Sequence, residues 1–202
     1  MSVDINKACQ LLSGGAVGII PTDTVYGLAM ALQKDANPSC LYDIKNRSNL
    51  KPIAILIPSI DYLVKYSANL DARVLKIANT FWPGALTIIV NASKNVPKNF
   101  VASNGSIALR VPNNNIALKI MQKISMPLAC TSANVSGQNP VVNFSHIDKQ
   151  LLDHCDFAIC DTQEKSGLSS TIIDCTGKDV ALIRQGSISL DDINMAICNS
   201  KL

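Results

Sequence analysis

With 202 residues, 48% of them hydrophobic and 16% charged, the chain can bury one substantial core, which excludes an intrinsically disordered polyelectrolyte. A net charge of +3 is too weak for a strongly basic nucleic-acid binder, yet suits small anionic ligands. The apolar runs are strand-sized, far below the roughly 18 residues of a membrane span, and MSVDINK carries an acidic residue and no apolar signal-peptide core, so a cytoplasmic protein is expected.

Aromatic residues amount to only 4%, so the core must be built from Ile, Val, Leu and Ala, a composition suited to buried strands. In chain order, residues 17–20 read as a first strand closed by Pro21. Asn37 and Pro38 form an N-cap and first-turn pair for a helix running to residue 46. A second buried strand spans 53–57, Ser59 caps a helix to residue 66, and a helix over 71–81 stops at Pro83-Gly84. Strands at 86–90 and 107–111 precede an amphipathic helix at 116–124 and a short strand at 128–130. After a loop over 131–140, Ser145 opens another helix. Strand candidates follow at 157–160, 171–175 and 180–184, and Ser189 introduces a C-terminal helix over 190–198. The expected fold class is α/β (α+β): a single domain over 1–202, with a twisted, mixed open sheet and flanking helices. Strand order does not follow from this pattern.

The seven cysteines are odd in number and include no CxxC pair, and several lie in apolar runs. They read as reduced thiols packed as small hydrophobes in a reducing compartment. His146 and His154 are too few and too isolated for a zinc site, so no protein metal site is expected.

The polar residues of interest collect where strands end, positions that a rigid sheet both holds and exposes. The segment from Pro21 to Leu28 offers the hydroxyls of Thr22 and Thr24 and a close-approach Gly27; an Asp-stabilised turn would use the same residues. Lys45-Asn46-Arg47 at a helix end can converge on a polyanion, or merely complement the helix dipole. The run TSANVSG from Thr131 to Gly137 can form a backbone nest for phosphate oxygens, or an ordinary turn. Arg110 and Arg184 stand within apolar strands and need partners: a structural carboxylate such as Asp174, or a bound carboxylate or phosphate. There is no P-loop, no dinucleotide fingerprint and no GxSxG elbow, and two histidines make a Ser–His triad implausible. The expected site positions and neutralises charge rather than attacking.

Taken together and in order, PTDTVYGL, the K-x-R of Lys45 and Arg47, FWPGALT, IALRVP, the S-x-N of Ser132 and Asn134, SSTIID and IRQG resemble the YrdC-like family, specifically its short threonylcarbamoyl-AMP synthases (TsaC type). The similarity extends from about Ala16 to Ser187. It implies a large concave basic cavity in which L-threonine, bicarbonate and ATP, the nucleotide accompanied by Mg2+, are joined to threonylcarbamoyl-AMP and pyrophosphate for tRNA modification. By resemblance, Thr24, Arg110 and Ser170 would hold threonine, while Lys45, Arg47, Ser106, Ser132, Asn134, Pro140 and Arg184 would bind the nucleotide. Of these, Lys45, Arg47, Ser132 and Asn134 are the catalytic candidates. Downstream tRNA threonylcarbamoyl-transfer proteins would be partners; weak RNA binding and a carbamoyl-adenylate activity remain alternatives. Ser48 stands where proline is common in the family, and Leu56 where longer relatives often carry a histidine near threonine. The additional C-terminal domain of those longer relatives is expected to be absent.

Overall fold

Strands whose neighbours alternate sides place every second residue on one face, and here the two faces have unequal cover. The computed structural model describes residues 2–45, 53–135 and 137–198. Its strands are β1 (Val17–Ile20), β2 (Gly27–Ala31), β3 (Ala54–Leu56), β4 (Leu86–Asn91), β5 (Ser106–Arg110), β6 (Leu128–Ser132), β7 (Phe157–Ala158), β8 (Thr171–Asp174) and β9 (Ala181–Arg184). They form one mixed sheet in the order β7-β1-β2-β6-β3-β5-β4-β8-β9. The pairs β1–β7, β3–β5 and β4–β8 are parallel and the others antiparallel. The result is a single-domain α/β fold with flanking helices.

One face carries Leu28, Met30, Ile55, Ile88, Leu109 and Ile173. It is covered by α2 (Ser39–Ile44), α3 (Ile60–Tyr66), α4 (Ala72–Phe81) and α7 (Leu190–Cys198), which contribute Leu41, Leu63, Ile77 and Ile193. The other face carries Ala29, Ala31, Leu56 and Leu128, packed against Ala8 and Leu12 of α1 (Ile5–Ser13) and Ala117, Ile120 and Met121 of α5 (Asn115–Ile124). Residues of β4, β5 and β8 are not part of this second core. Their side of the sheet is therefore left for a cavity.

Several elements depart from the sequence expectation for physical reasons. Helix α1 is anchored by Asp4, whose carboxylate accepts from Lys7 N at 2.9 Å. Strand β2 has a weak local signal, since GLAMA contains no β-branched residue; pairing with β1 on one side and β6 on the other makes it a strand. That pairing also carries β6 through Thr131 and Ser132, two residues past the expected end, because Ser132 lies opposite Gly27. No helix begins at Ser145. A 3-10 turn at Phe144–His146 precedes the short α6 (Lys149–Asp153), capped by Asp148. The helix expected to start at Pro38 starts at Ser39, whose N–H donates to Asn37 Oδ1.

Helix α7 opens with a reciprocal cap: Asp192 N–H donates to Ser189 Oγ at 3.0 Å, and Ser189 N–H to Asp192 Oδ2 at 3.2 Å. Replacing Ser189 by Ala should lower the unfolding free energy by about 1 kcal/mol, read as a shifted midpoint in urea titration.

Candidate active site

Side chains directly opposite on paired strands share a face, so the register dictates the floor of the cavity. Leu56 lies opposite Arg110, Ala54 opposite Cys130, and Leu86 and Thr87 run beside Thr171 and Ile172. From these strands Ala54, Leu56, Cys130, Arg110, Thr87 and Ile172 line a cavity of about 560 Å3. Its walls come from Thr22 and Thr24 after β1, Lys45 after α2, Ser132 at the end of β6 with Asn134, Gly137 and Pro140 after it, Ser169 and Ser170 before β8, and Arg184 at the end of β9. Small residues make the space: a Cβ on Gly27 would stand 2.4 Å from Cys130 Sγ. The described lining residues include Lys45, Arg110 and Arg184 but no Asp or Glu, which makes the cavity a site for anions.

Arg110 is buried and held on three sides. Its Nε donates to Gly84 O at 2.9 Å, Nη1 to Thr24 Oγ1 at 3.0 Å, and Nη2 to Asp23 Oδ1 at 2.7 Å. A guanidinium has five N–H groups, so a second N–H remains on each terminal nitrogen beyond these bonds. Asp23 Oδ1 also accepts from Asn113 N at 3.0 Å, fixing the ion pair to the chain after β5. Asp174 is not the partner of either strand arginine; it accepts from Thr176 N and Oγ1 at the end of β8. The partner of Arg110 is Asp23, whose proximity depends on β1 and β5 meeting across intervening strands, whereas Arg184 stands on β9, an exposed edge strand, and is not the buried strand arginine expected.

The Thr24 hydroxyl is primed as a donor. Thr22 commits its proton to Val25 O at 2.6 Å and accepts from the amides of Thr24 and Val25, each at 3.2 Å. Thr24 Oγ1 accepts from Arg110 and, with the Thr22 proton on Val25 O, is the donor of the 3.1 Å hydroxyl pair with Thr22 Oγ1; turning that proton from Thr22 offers it to a ligand oxygen.

Lys45 follows a helix of only six residues, and its side chain is buried rather than trailing past the helix end. Its ammonium donates to Ser132 O, to Ser132 Oγ at 3.1 Å, and more loosely to Thr131 Oγ1 and Asn134 Oδ1, both at 3.4 Å. Dipole complementarity does not account for this cross-chain clamp. Asn134 closes the same loop by donating to Val135 O at 3.1 Å and Gln138 O at 2.7 Å. The lysine of K-x-R and both residues of S-x-N are thus one cluster.

On the opposite wall, Arg184 donates from Nε and Nη2 to Ser170 O at 3.1 and 2.8 Å, and from Nη2 to Ser170 Oγ at 3.3 Å. Ser170 Oγ also bonds Thr87 Oγ1 at 2.8 Å. Gly186 packs its backbone here: a Cβ would stand 2.3 Å from Ser169 O and 2.4 Å from Thr171 N.

The Sua5_yciO_yrdC family model, described as "Telomere recombination", matches residues 10–186. The chain belongs to this Sua5/YciO/YrdC family. The threonylcarbamoyl-AMP synthase of Pyrococcus abyssi is 30% identical over 194 residues, which are 96% of this chain and 57% of that protein. The protein of the same name from Pseudoalteromonas translucida is 31% identical over 172 residues, covering 84% of this chain and 92% of the relative. A crystal structure of P. abyssi Sua5 complexed with L-threonine matches with a TM-score of 0.90 and 28% identity, across 96% of this chain and 57% of that one. The chain therefore spans little more than half of the Pyrococcus protein and nearly all of the Pseudoalteromonas one.

In this member of the Sua5/YciO/YrdC family, Thr24, Lys45, Arg110, Ser132, Asn134, Pro140, Ser170 and Arg184 all line the one cavity. Ser106 does not. It shares the sheet face of Arg110 but stands at the other end of β5, roughly 13 Å along the strand, and its hydroxyl donates to Asn104 Oδ1 at 2.7 Å. Arg47 lies outside the described residues. Sequence reasoning passed over Asp23 and Thr87. Each lies inside a quoted motif, and for Asp23 the signal was an acid beside two hydroxyls with a buried arginine elsewhere in need of a partner.

Burial pushes the Cys130 thiol up to about 12, despite the opposing pull of Arg110 and Lys45. Burial likewise raises Cys155 to about 12 and Cys175 to about 11. A raised thiol pKa leaves almost no thiolate at neutral pH, so Cys130 is part of the cavity floor and not a nucleophile. Iodoacetamide at neutral pH should label the exposed Cys160 and Cys198 and spare Cys130, as peptide mass spectrometry would show. Gly186→Ala should displace Ser169–Thr171 and lower ligand affinity roughly 10-fold or more, measured by calorimetric titration.

Proposed function

We propose that the chain is a threonylcarbamoyl-AMP synthase, converting L-threonine, bicarbonate-derived CO2 and ATP to L-threonylcarbamoyladenylate and pyrophosphate, the activated precursor of a tRNA modification. One observation carries the reading: three cations, each bonded to a hydroxyl, face a single cavity whose described lining has no carboxylate. Threonine, its carbamate and a triphosphate are all anionic, so their mutual repulsion is the barrier such a cavity lowers.

The substrate carboxylate sits against the second N–H groups of Arg110, with the Thr24 proton as a further donor; the planar fork suits a carboxylate. The Ser170–Thr87 pair borders the same floor. The amine of threonine attacks CO2, releasing a proton and forming the N-carboxylate. One of its oxygens attacks the α-phosphorus of ATP, and the bond from that phosphorus to the α,β-bridging oxygen breaks, releasing the β and γ phosphates as pyrophosphate. Lys45, Ser132 and Asn134 hold phosphate oxygens on one wall, with Arg184 on the other; Arg47 is proposed as a further phosphate ligand from the K-x-R motif alone. No step calls for a protein nucleophile or a dedicated base.

The donor set fits a metal that arrives with the nucleotide. The cavity offers hydroxyl and amide oxygens, and among the described residues no cluster of three His, Cys, Asp or Glu could hold an ion. Mg2+ on the triphosphate would offset part of its charge. No helix among the described residues is long and apolar enough to cross a membrane. A cytoplasmic location, with onward transfer by tRNA threonylcarbamoyl-transfer proteins, is the corresponding proposal.

The test is pyrophosphate release with ATP, bicarbonate and threonine, together with isolation of a threonine-containing adenylate. Release that ignores threonine, or no release beside tight salt-sensitive duplex RNA binding, overturns the proposal. Arg110→Ala should raise the threonine KM by about 10-fold or more while leaving the ATP KM little changed. Lys45→Ala should lower kcat/KM on the order of 100-fold with the fold retained by circular dichroism.

A further inference from the structure

Behind the cavity lies a buried polar cluster that touches none of its space. Lys165 Nζ meets Asp161 Oδ1 at 2.5 Å, sits 4.4 Å from the centroid of the Tyr26 ring, and donates to Gln163 O at 3.0 Å. Asp161 Oδ1 also accepts from the Tyr26 hydroxyl at 3.1 Å, and Oδ2 from Asn114 Nδ2 at 2.9 Å. The side chains of Lys165 and Asp161 are 1% and 5% exposed, so this ion pair is unlike the weak surface kind, although it borders a second cavity of about 680 Å3 on the side away from the site. Neither residue lines the active-site cavity.

Each end of the cluster continues directly into a wall of the site. The two residues after Lys165 bond the threonine-side loop: Ser166 N–H donates to Asp23 O at 3.1 Å and Gly167 N–H to Thr24 O at 3.0 Å. Gly167, at φ +73, then turns the chain toward Ser169 and Ser170. Tyr26 ties the third wall, donating from N to Val141 O at 2.9 Å and accepting at its carbonyl from Ala133 N at 2.8 Å. Three loops that are distant in sequence thus share one buried anchor.

We propose that Lys165, clamped by Asp161 and the Tyr26 ring, is a positioning residue that holds the Thr24 loop and the Ser169–Ser170 wall in mutual register. Its lever is geometric: Thr24 donates alongside Arg110, and Ser170 sits across the floor, so a shift of about 1 Å between them degrades binding of the small carboxylate substrate. The S-x-N wall meets the anchor only through the backbone of Tyr26, and it is held in addition by Lys45 and by the β2–β6 ladder, so the nucleotide side depends less on Lys165.

The test has two arms, of which only the kinetic one rests on the function proposed above. In Lys165→Met, hydrogen exchange should quicken in peptides covering 21–28 and 165–170, with α4 unchanged. The threonine KM should rise about tenfold, the ATP KM should rise distinctly less, through the Arg184–Ser170 bonds alone, and Lys165→Arg should recover most of the loss. Because Met would leave Asp161 as a buried charge, Lys165→Met/Asp161→Asn, which removes both charges, guards against simple misfolding. Unchanged exchange at 21–28, or equal rises in both KM values, overturns the proposal. If the unmodified protein shows no threonine-dependent pyrophosphate release while exchange at 21–28 quickens in the variants, the function falls and the anchor stands.

Discussion

Each cation lining the cavity reaches a hydroxyl: Arg110 to Thr24, Lys45 to Ser132 and Arg184 to Ser170. A carboxylate in each of those places would have oriented the cation and cancelled its charge. A hydroxyl orients it and keeps the charge available, and a hydroxyl that accepts from a cation becomes a better donor to an anion. The chemistry follows from that constraint, since Arg110, Lys45 and Arg184 and the hydroxyls beside them face the cavity as donors, with Asn134 as a further polar group. Arg110 is also bonded to a carboxylate, Asp23. Its planar fork must be held at one angle to receive another planar group, and orientation there matters more than undivided charge.

Such an arrangement needs a sheet face that is rigid but uncovered. Helices α1 and α5 pack only on the β1, β2 and β6 side and the end of β3, through Ala8, Leu12, Ala117, Ile120 and Met121. The opposite face is sealed by four helices. The strands β3, β5, β4 and β8 are consequently fixed from below and open above, and Ala54, Gly27 and Cys130 keep the open side shallow enough for a ligand. Where a thiol would be chemically conspicuous, burial keeps Cys130 protonated, leaving it the role of a small apolar floor residue.

The walls are loops, and loops hold geometry only when something outside the cavity fastens them. Here the fastening is internal. Thr22 makes a side-chain turn of its own segment, Asn134 closes the S-x-N loop on Val135 and Gln138, and Thr171 Oγ1 receives the amides of Gly186 and Ile188 beneath Ser170. The buried Tyr26–Asp161–Lys165 cluster then joins neighbouring loops to one another.

By itself the sequence determined what is local. Aliphatic runs of strand length marked β1, β4, β5 and β8, and Ser189 marked the start of α7 because an orphan N–H needs an oxygen. The ordered motifs from Pro21 to Gly186 named the family and most of the residues that meet in the cavity. Only the tertiary structure decided which residues touch. It made GLAMA a strand, chose Asp23 over Asp174 for Arg110, set Lys45 on Ser132, and left Ser106 at the far end of its strand. The physical reason is that periodicity and capping act within a few residues, whereas ion pairs such as Arg110–Asp23 depend on strand order, which is fixed only when the two faces of the whole sheet are packed together.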